Sequence, residues 1–262
     1  MHAPRSLKHE YELFVEREIE DYKDSIPRSA ILAIGDEAVA ALREDAQTTL
    51  TELVLWEEVD RIIARRIRLP SYSTWRRRRL KTIAELRKPE RWGLHPNSPL
   101  AREVRASEGE HVLVAGMDDE GAAIFSAALG CAVTAIDLAP DAVERVIMAA
   151  EQAGLATRVR PLVTDIAGWS PDVALRLVVC SPQAFEGLAP EARERAIATL
   201  QSATLDGGVH LVQTIVAGTA GASLGAPTLD ELRARYVGWA ISVESESASG
   251  PTFLARKQAE LH

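Results

Sequence analysis

The stretch His111–Asp137, HVLVAGMDDEGAAIFSAALGCAVTAID, decides how the rest of the chain is read. Val112-Leu113-Val114-Ala115 is a short apolar run with β-branched residues, closed by Gly116. Met117-Asp118-Asp119 is turn-like, and Glu120–Leu129 carries helix-forming residues up to Gly130, a natural C-terminal stop. Ala132–Ile136 is a second apolar run, with Asp137 at its carboxyl end. The order predicts strand, turn, helix, strand. A glycine after the first strand and an acid about 20 residues later form the skeleton of a nucleotide-binding βαβ unit.

Around this stretch the chain has 262 residues, 47% hydrophobic and 26% charged, enough for one large or two small domains with full cores. No run approaches the ~20 uninterrupted apolar residues of a membrane span. The start, MHAPRSLKHEYELF, lacks the apolar core of a signal peptide, so a cytoplasmic location is expected. Cys131 and Cys180 both lie in apolar surroundings and read as buried free thiols. Six scattered histidines include no ligand-like pair, and no metal is expected.

Charge is unevenly placed. Residues 61–91 hold twelve basic side chains against Glu85 and Glu90, a local +10 in a chain of net −8, so the remainder carries −18. Three readings stay open for the segment Arg61–Arg91. It contacts nucleic-acid phosphates, with Trp75 stacking on a base; or it pairs with the protein's own acidic remainder; or it is a solvated helix face. The intramolecular pairing is the preferred one, and the net charge speaks against a whole-protein nucleic-acid binder. At a helical pitch the run Arg76-Arg77-Arg78-Arg79 cannot point one way.

Residues 9–88 read as helices without a convincing strand. Tyr11, Phe14, Val15, Ile19 and Tyr22 recur at helical spacing, and Pro27 ends that helix. Ile31–Leu42 predicts a second helix and Thr51–Ile67 a third, stopped before Pro70. Ser71 or Ser73 would cap a fourth, with Trp75, Ile83 and Leu86 inward. Pro89, Gly93, Pro96 and Pro99 mark a boundary, giving a helical N-terminal domain at 1–96 and a second domain at 97–262. Trp56 among the aliphatics of the third helix also suits a homodimer interface through the helical domain.

Beyond Asp137, strands and helices alternate. Pro140 opens a helix that Gly154 ends, Val159–Val163 is a third strand closed by Thr164-Asp165, and Ala174–Cys180 is a fourth. Pro190–Leu200 is helical, Leu205-Asp206-Gly207-Gly208 reads as a turn, and Val209–Val216 is the strongest strand. Leu229–Tyr236 is helical, and Ala240–Glu244 with Thr252–Ala255 form a terminal antiparallel hairpin. Such βα repeats imply a mostly parallel sheet covered on both faces.

By Gly208 this order resembles the Rossmann-like fold of class I S-adenosylmethionine-dependent methyltransferases. The segment LGCAVTAIDLAPDAVERVIMAAEQAGL, with VTDIAGW after it, is most similar to the tellurite-resistance methyltransferase group. The LDGG turn and the closing TFLARK strand support the likeness, which covers about residues 108–258. It implies a seven-stranded, mostly parallel sheet with a terminal antiparallel hairpin, preceded here by an all-α domain. It also implies S-adenosylmethionine as cofactor and methyl transfer to a small-molecule or other soluble acceptor. Asp137 then matches the acid that holds the ribose hydroxyls, and Asp165 the acid beside the adenine. Ile166 would pack on the ring, Gly116 is the first glycine of the loop, and Ser181 with Pro182 falls where methyl group and acceptor meet. Gln183 and Phe185 would shape the acceptor pocket. No catalytic side chain is implied.

The loop departs from the family's acid-x-Gly-x-Gly-x-Gly pattern. Val114 stands for the acid, while Asp118 and Glu120 stand for the second and third glycines. Carboxylates there would repel the cofactor's methionine carboxylate by about 1 kcal/mol per pair at 4 Å in water. They also suit a helix N-terminus, so helix capping is a competing reading for 118–120. The alternative function is accordingly a methyltransferase-like scaffold that has lost its cofactor and serves as an interaction or assembly module. A nicotinamide-dependent reductase shares the βαβ start but lacks its glycine fingerprint.

Overall fold

Apolar runs that alternate sides of a strand, and are apolar on both, belong inside a sheet covered on both faces. The computed structural model describes residues 6–44, 51–117, 120–214, 226–246 and 250–259. Its strands are β1 (His111–Ala115), β2 (Ala132–Asp137), β3 (Val159–Val163), β4 (Leu175–Cys180), β5 (Thr204–Gln213), β6 (Trp239–Glu246) and β7 (Gly250–Lys257). They form one sheet in the order β3-β2-β1-β4-β5-β7-β6. The first five are parallel, and β7 runs antiparallel between β5 and β6.

The chain divides into two compact units, Met1–Thr82 and Ile83–His262. In the second, Val112 and Val114 of β1 face a core shared with α5 (Pro99–Ala106), α6 (Gly121–Ala128) and α7 (Pro140–Ala153). Leu113 and Ala115 face the opposite core, filled by Ile197 and Leu200 of α8 (Pro190–Ala203) and Leu232 of α9 (Leu229–Arg235). This period-two partition lets one short strand serve both layers. The helix α5 arises where only a proline-rich boundary was expected. Ser98 caps it by accepting from the Ala101 N–H at 3.2 Å, and Pro99 sits in its first turn, where the missing N–H costs nothing. Glu103 then receives Arg256 of β7 at 2.9 and 2.8 Å.

One sequence expectation is corrected here. Leu205–Gly208 is no free turn before a strand; it is an irregularity inside a longer β5, where pairing with β4 jumps from Leu175–Thr204 to Leu177–Val209. Gly207, at φ +70°, supplies the left-handed residue that such a bulge needs. The end of the expected strand at 215–216 lies outside the described residues.

In the first unit α1 (Leu7–Ser25), α2 (Arg28–Glu44) and α3 (Glu52–Arg66) meet through Ile19, Ile34, Ala38, Val59, Ile62 and Ile63. The helix α4 (Tyr72–Leu86) is capped by Ser71, which accepts from the Thr74 N–H at 3.4 Å; Ser73 does not take that role. Trp75 packs with Tyr11 at 5.4 Å and Phe14 at 6.1 Å, and Tyr11 donates its hydroxyl to the Pro70 carbonyl at 2.9 Å. The division at Thr82 falls inside α4, because Leu86 joins the core around β1.

A buried polar chain in β5 has no counterpart in the sequence reading. His210 is fully buried, with Nδ1 at 2.6 Å from the Tyr236 hydroxyl and Nε2 at 2.7 Å from the Thr204 hydroxyl. Thr204 donates to the Leu200 carbonyl at 2.6 Å, so it must accept from Nε2–H. Tyr236, held protonated by burial, donates to Nδ1. The tautomer is thereby fixed and neutral. Burial, helped by the Lys257 ammonium, pushes the imidazole down to about 3.

An unfolded histidine titrates near 6.5, so between about pH 6.5 and 3 the unfolded chain binds a proton that the folded one refuses. This stability is full above pH 6.5 and falls with pH, by about 2 kcal/mol between pH 7 and 5 at ~1.4 kcal/mol per unit. Urea unfolding at the two pH values is expected to show that loss in wild type and a correspondingly smaller one in His210→Gln. Equal pH dependence in both would refute it.

Candidate functional site

In an open parallel sheet, ligands collect beyond the carboxyl ends of the strands, where the strand order reverses. Here the reversal lies between β1 and β4, whose neighbours run outward to β2 and β3 on one side and β5 on the other. Gly116 follows β1, Asp137 ends β2, Asp165 follows β3 and Ser181 follows β4. The topology therefore puts these four of the sequence candidates on one edge.

Asp137 is half-buried, and both of its carboxylate oxygens already accept backbone hydrogen bonds. Oδ2 takes the Met117 N–H at 2.6 Å, and Oδ1 takes the Ala139 N–H at 2.8 Å. The second of these is the two-residue Asx contact that Asp favours after a strand. The first reaches across to the loop after β1. A carboxylate has about four acceptor positions, so one on each oxygen is left.

Gly116 has φ +69°, and its N–H donates to the Ile136 carbonyl at 3.0 Å. A Cβ there would lie 2.2 Å from the Ala184 nitrogen and 2.6 Å from the Ser181 oxygen. The tight turn Pro182–Phe185 thus presses its backbone onto the glycine. Ser181 donates its hydroxyl to the Gly116 carbonyl, and its own N–H donates to the Ala115 carbonyl at 3.0 Å. Gln183 Oε1 is also 2.9 Å from that hydroxyl. A serine has one hydrogen to give, so both contacts are satisfied only when the Gln183 amide is turned to donate back. Phe185 is 1% exposed and belongs to the core under α8, with no side-chain surface turned to a pocket.

Asp165 is half-buried, and its Oδ1 accepts the Gly168 N–H, which organises the turn after β3. Ile166 is 2% exposed, within the core cluster that also contains Ile136 and Trp169. Val114 is buried in the opposite core, and Met117, 4% exposed, fills that core directly behind the loop. Asp118 and Asp119 lie outside the described residues. Glu120 precedes α6 without making a capping hydrogen bond, so the helix-cap reading fails for that residue. Its side chain instead borders an open groove of about 490 Å³ with Asp141, Glu144, Arg145 and Met148 of α7, apart from the four candidates.

The chemistry this edge can support is limited by what stands beside it. Cys180 ends β4, but burial pushes its thiol up to about 12, so no thiolate nucleophile is available. Cys131 is likewise buried and free, raised to about 11, with its thiol 3.2 Å from the Ser107 carbonyl. Among the described residues no cluster of three or more His, Cys, Asp or Glu could hold a metal, and no helix is long and apolar enough to cross a membrane. Hydrogen-bond acceptors on a rigid edge suit binding and aiming a ligand. Sequence reasoning missed Ala139, Met117 and Ala184 as partners of this edge. The Asp-x-Ala spacing signalled the first; nothing local signalled contacts made through backbone across the reversal.

Gly116→Ala therefore meets two penalties, about 1–2 kcal/mol for a left-handed alanine and about 1–3 for the overpacked Cβ. Gly238, at φ +85°, has nothing within 4 Å of a Cβ. Chemical unfolding should show Gly116→Ala destabilised by at least about 1 kcal/mol more than Gly238→Ala. Equal losses would show that the turn after β4 does not press on Gly116.

No protein-family model matches the chain, and no curated protein matches it. Among solved structures it is similar to TehB from Haemophilus influenzae, with 19% identity over 56% of this chain and 57% of that one, at a TM-score of 0.47. The chain thus spans little more than half the length of the TehB structure. It is similar to the N-methyltransferase NodS from Bradyrhizobium japonicum WM9, with 16% identity over 63% of this chain and 100% of that one, TM-score 0.48. A third is an rRNA methylase from Streptococcus thermophilus, 12% identical over 60% and 93% of the two chains, TM-score 0.44. The assignment of fold rests on the sheet itself. With five parallel strands in the order 3-2-1-4-5 and an antiparallel seventh placed before the sixth, the chain has the Rossmann-like fold of the class I S-adenosylmethionine-dependent methyltransferases, preceded by helices.

Proposed function

We propose that the chain is an S-adenosylmethionine-dependent methyltransferase acting on a small-molecule or other soluble acceptor. The observation that supports this best is the gathering of Gly116, Asp137, Asp165 and Ser181 along the carboxyl edge of the parallel strands. When bound, the cofactor supplies an electrophilic methyl group, so the protein need only hold it and aim it.

The adenosine half suits the residues present. Asp137 keeps one acceptor position on each oxygen, the arrangement a vicinal diol needs, while its backbone partners fix the carboxylate plane. Asp165 keeps its second oxygen for an exocyclic amine, with Ile166 beneath as part of the apolar floor. The methionine half is served less well. Val114 is apolar, and the side of Gly116 that faces Ala184 is closed to a ligand. Weak cofactor affinity is the expected result, and Ser181 would meet the acceptor beside a turn that excludes water from Gly116.

Calorimetric titration with S-adenosylmethionine tests the proposal. Saturable heat is expected, with Asp137→Asn and Asp165→Ala each weakening binding about tenfold or more, ~1.4 kcal/mol. Thermal melts of the apo variants separate lost binding from lost folding, since Asp137 also accepts two backbone N–H groups. No heat at millimolar cofactor would overturn the proposal and leave the scaffold alternative.

A further inference from the structure

The twelve cations of residues 61–91 do not all have the same fate. Arg61 and Arg65 both engage the buried carboxylate of Glu58, the latter at 2.9 Å. Arg66 pairs with Glu37, and Arg79 with Glu10 at 3.2 Å. These four are paired with carboxylates of the first unit. Arg76, Arg77, Arg78 and Lys81 are all exposed, and no acidic side chain of the described residues pairs with them.

Their placement on α4 follows from helix geometry. The buried side is set by Trp75, Arg79 and Leu86. At 3.6 residues per turn, Arg76, Arg77, Lys81 and Arg78 fall in that angular order across an arc of about 200° on the opposite side. Arg77 and Lys81, four residues apart, stand about 6 Å apart along the axis at its centre. The other residues of this arc are Ser73, Leu80 and Ala84, all exposed, and the half-buried Thr74, with Leu80 the one large apolar side chain at 43%. Glu85, at the far end, is held by Lys88 at 2.9 Å.

We infer that this face of α4 is a docking surface for nucleic-acid phosphates. A protein partner would need an apolar centre depleted of charge, whereas nucleic-acid interfaces are polar and strongly positive. This face has the second composition. Three of its four cations are guanidinium groups, whose planar forks match phosphate oxygens two at a time. Binding is through the backbone and without base readout, because Trp75 is engaged by Tyr11, Phe14 and Tyr72 and has no free ring face for stacking on that side. The expected mode is electrostatic, salt-dependent and tolerant of sequence.

The test uses the full chain, with anisotropy of a fluorescein-labelled mixed-sequence single-stranded RNA of twenty nucleotides at 50 and 200 mM salt. Intact protein should bind at 50 mM salt, with log affinity falling by about 0.7 per contacted phosphate for each tenfold rise in salt. The double reversal Arg77→Glu/Lys81→Glu should weaken binding at least tenfold and lower that slope by about 1.4, the share of two phosphates. Arg43→Glu/Arg195→Glu changes net charge equally at exposed positions elsewhere and should cost less than threefold. Circular dichroism confirms that both variants are folded. No binding by intact protein, equal losses in the two variants, or a polyglutamate peptide of equal charge competing as well as RNA would each overturn the inference.

Discussion

One carboxylate holds the carboxyl edge of the sheet together. Asp137 ends β2, yet it takes a backbone N–H from the loop after β1 and another from the loop that leads into α7. Hydrogen bonds to a charged group contribute about 1.5–3 kcal/mol each, so the pair fixes two loops that no ladder reaches. Gly116 can then stay left-handed, Met117 can turn its side chain into the core, and the turn after β4 can close down on the glycine. The same acid that would grip a ribose is first a structural fastening. A ligand there does not create the geometry; it shares it.

The fold was legible because its signals are strong and local. A strand buried on both faces cannot hide its apolar run, and Gly130, Pro140 and Gly154 punctuate the helices around it. The four candidate residues were legible for the same reason, each lying at a strand end. What escaped was non-local. Nothing in the sequence near Gly116 announces that Ala184 will lie against it, since that contact depends on β4 being the neighbour of β1. Thr204, His210 and Tyr236 each look ordinary alone, and only pairing of β5 with β7, under α8 and α9, assembles them. The helix α5 was obscured by its own signals, because Ser98-Pro99 reads as a boundary until Ala101, Val104 and Glu103 find partners.

The first unit shows how a charge imbalance is resolved by degrees. Glu58 is almost buried yet flanked by two guanidinium groups that stay largely in water, so its charge is compensated without burying theirs. Lys23 bridges Glu20 and Asp60 at 2.8 Å each, and desolvation and these two carboxylates act on it in opposite directions, the carboxylates prevailing to raise its titration. Each of these cations has an acid placed for it on its own helix, and Lys23 has a second on α3. The exposed cations of α4 have none among the described residues, and a surface charge without such a match is free to respond to an arriving anion.

The antiparallel β7 also sets the order in which the sheet can be completed during synthesis. Its pairing with both β5 and β6 means that β6 has no partner until β7 exists, although β6 leaves the ribosome first. Until residues 250–257 emerge, β5 presents an open, strongly apolar edge, Val209, Leu211 and Val212 among its residues. Such an edge is a template for unwanted pairing. The last strand is therefore the seal on the sheet, and a nascent chain stalled a few residues short of it would carry a nearly complete domain with its most adhesive strand uncovered.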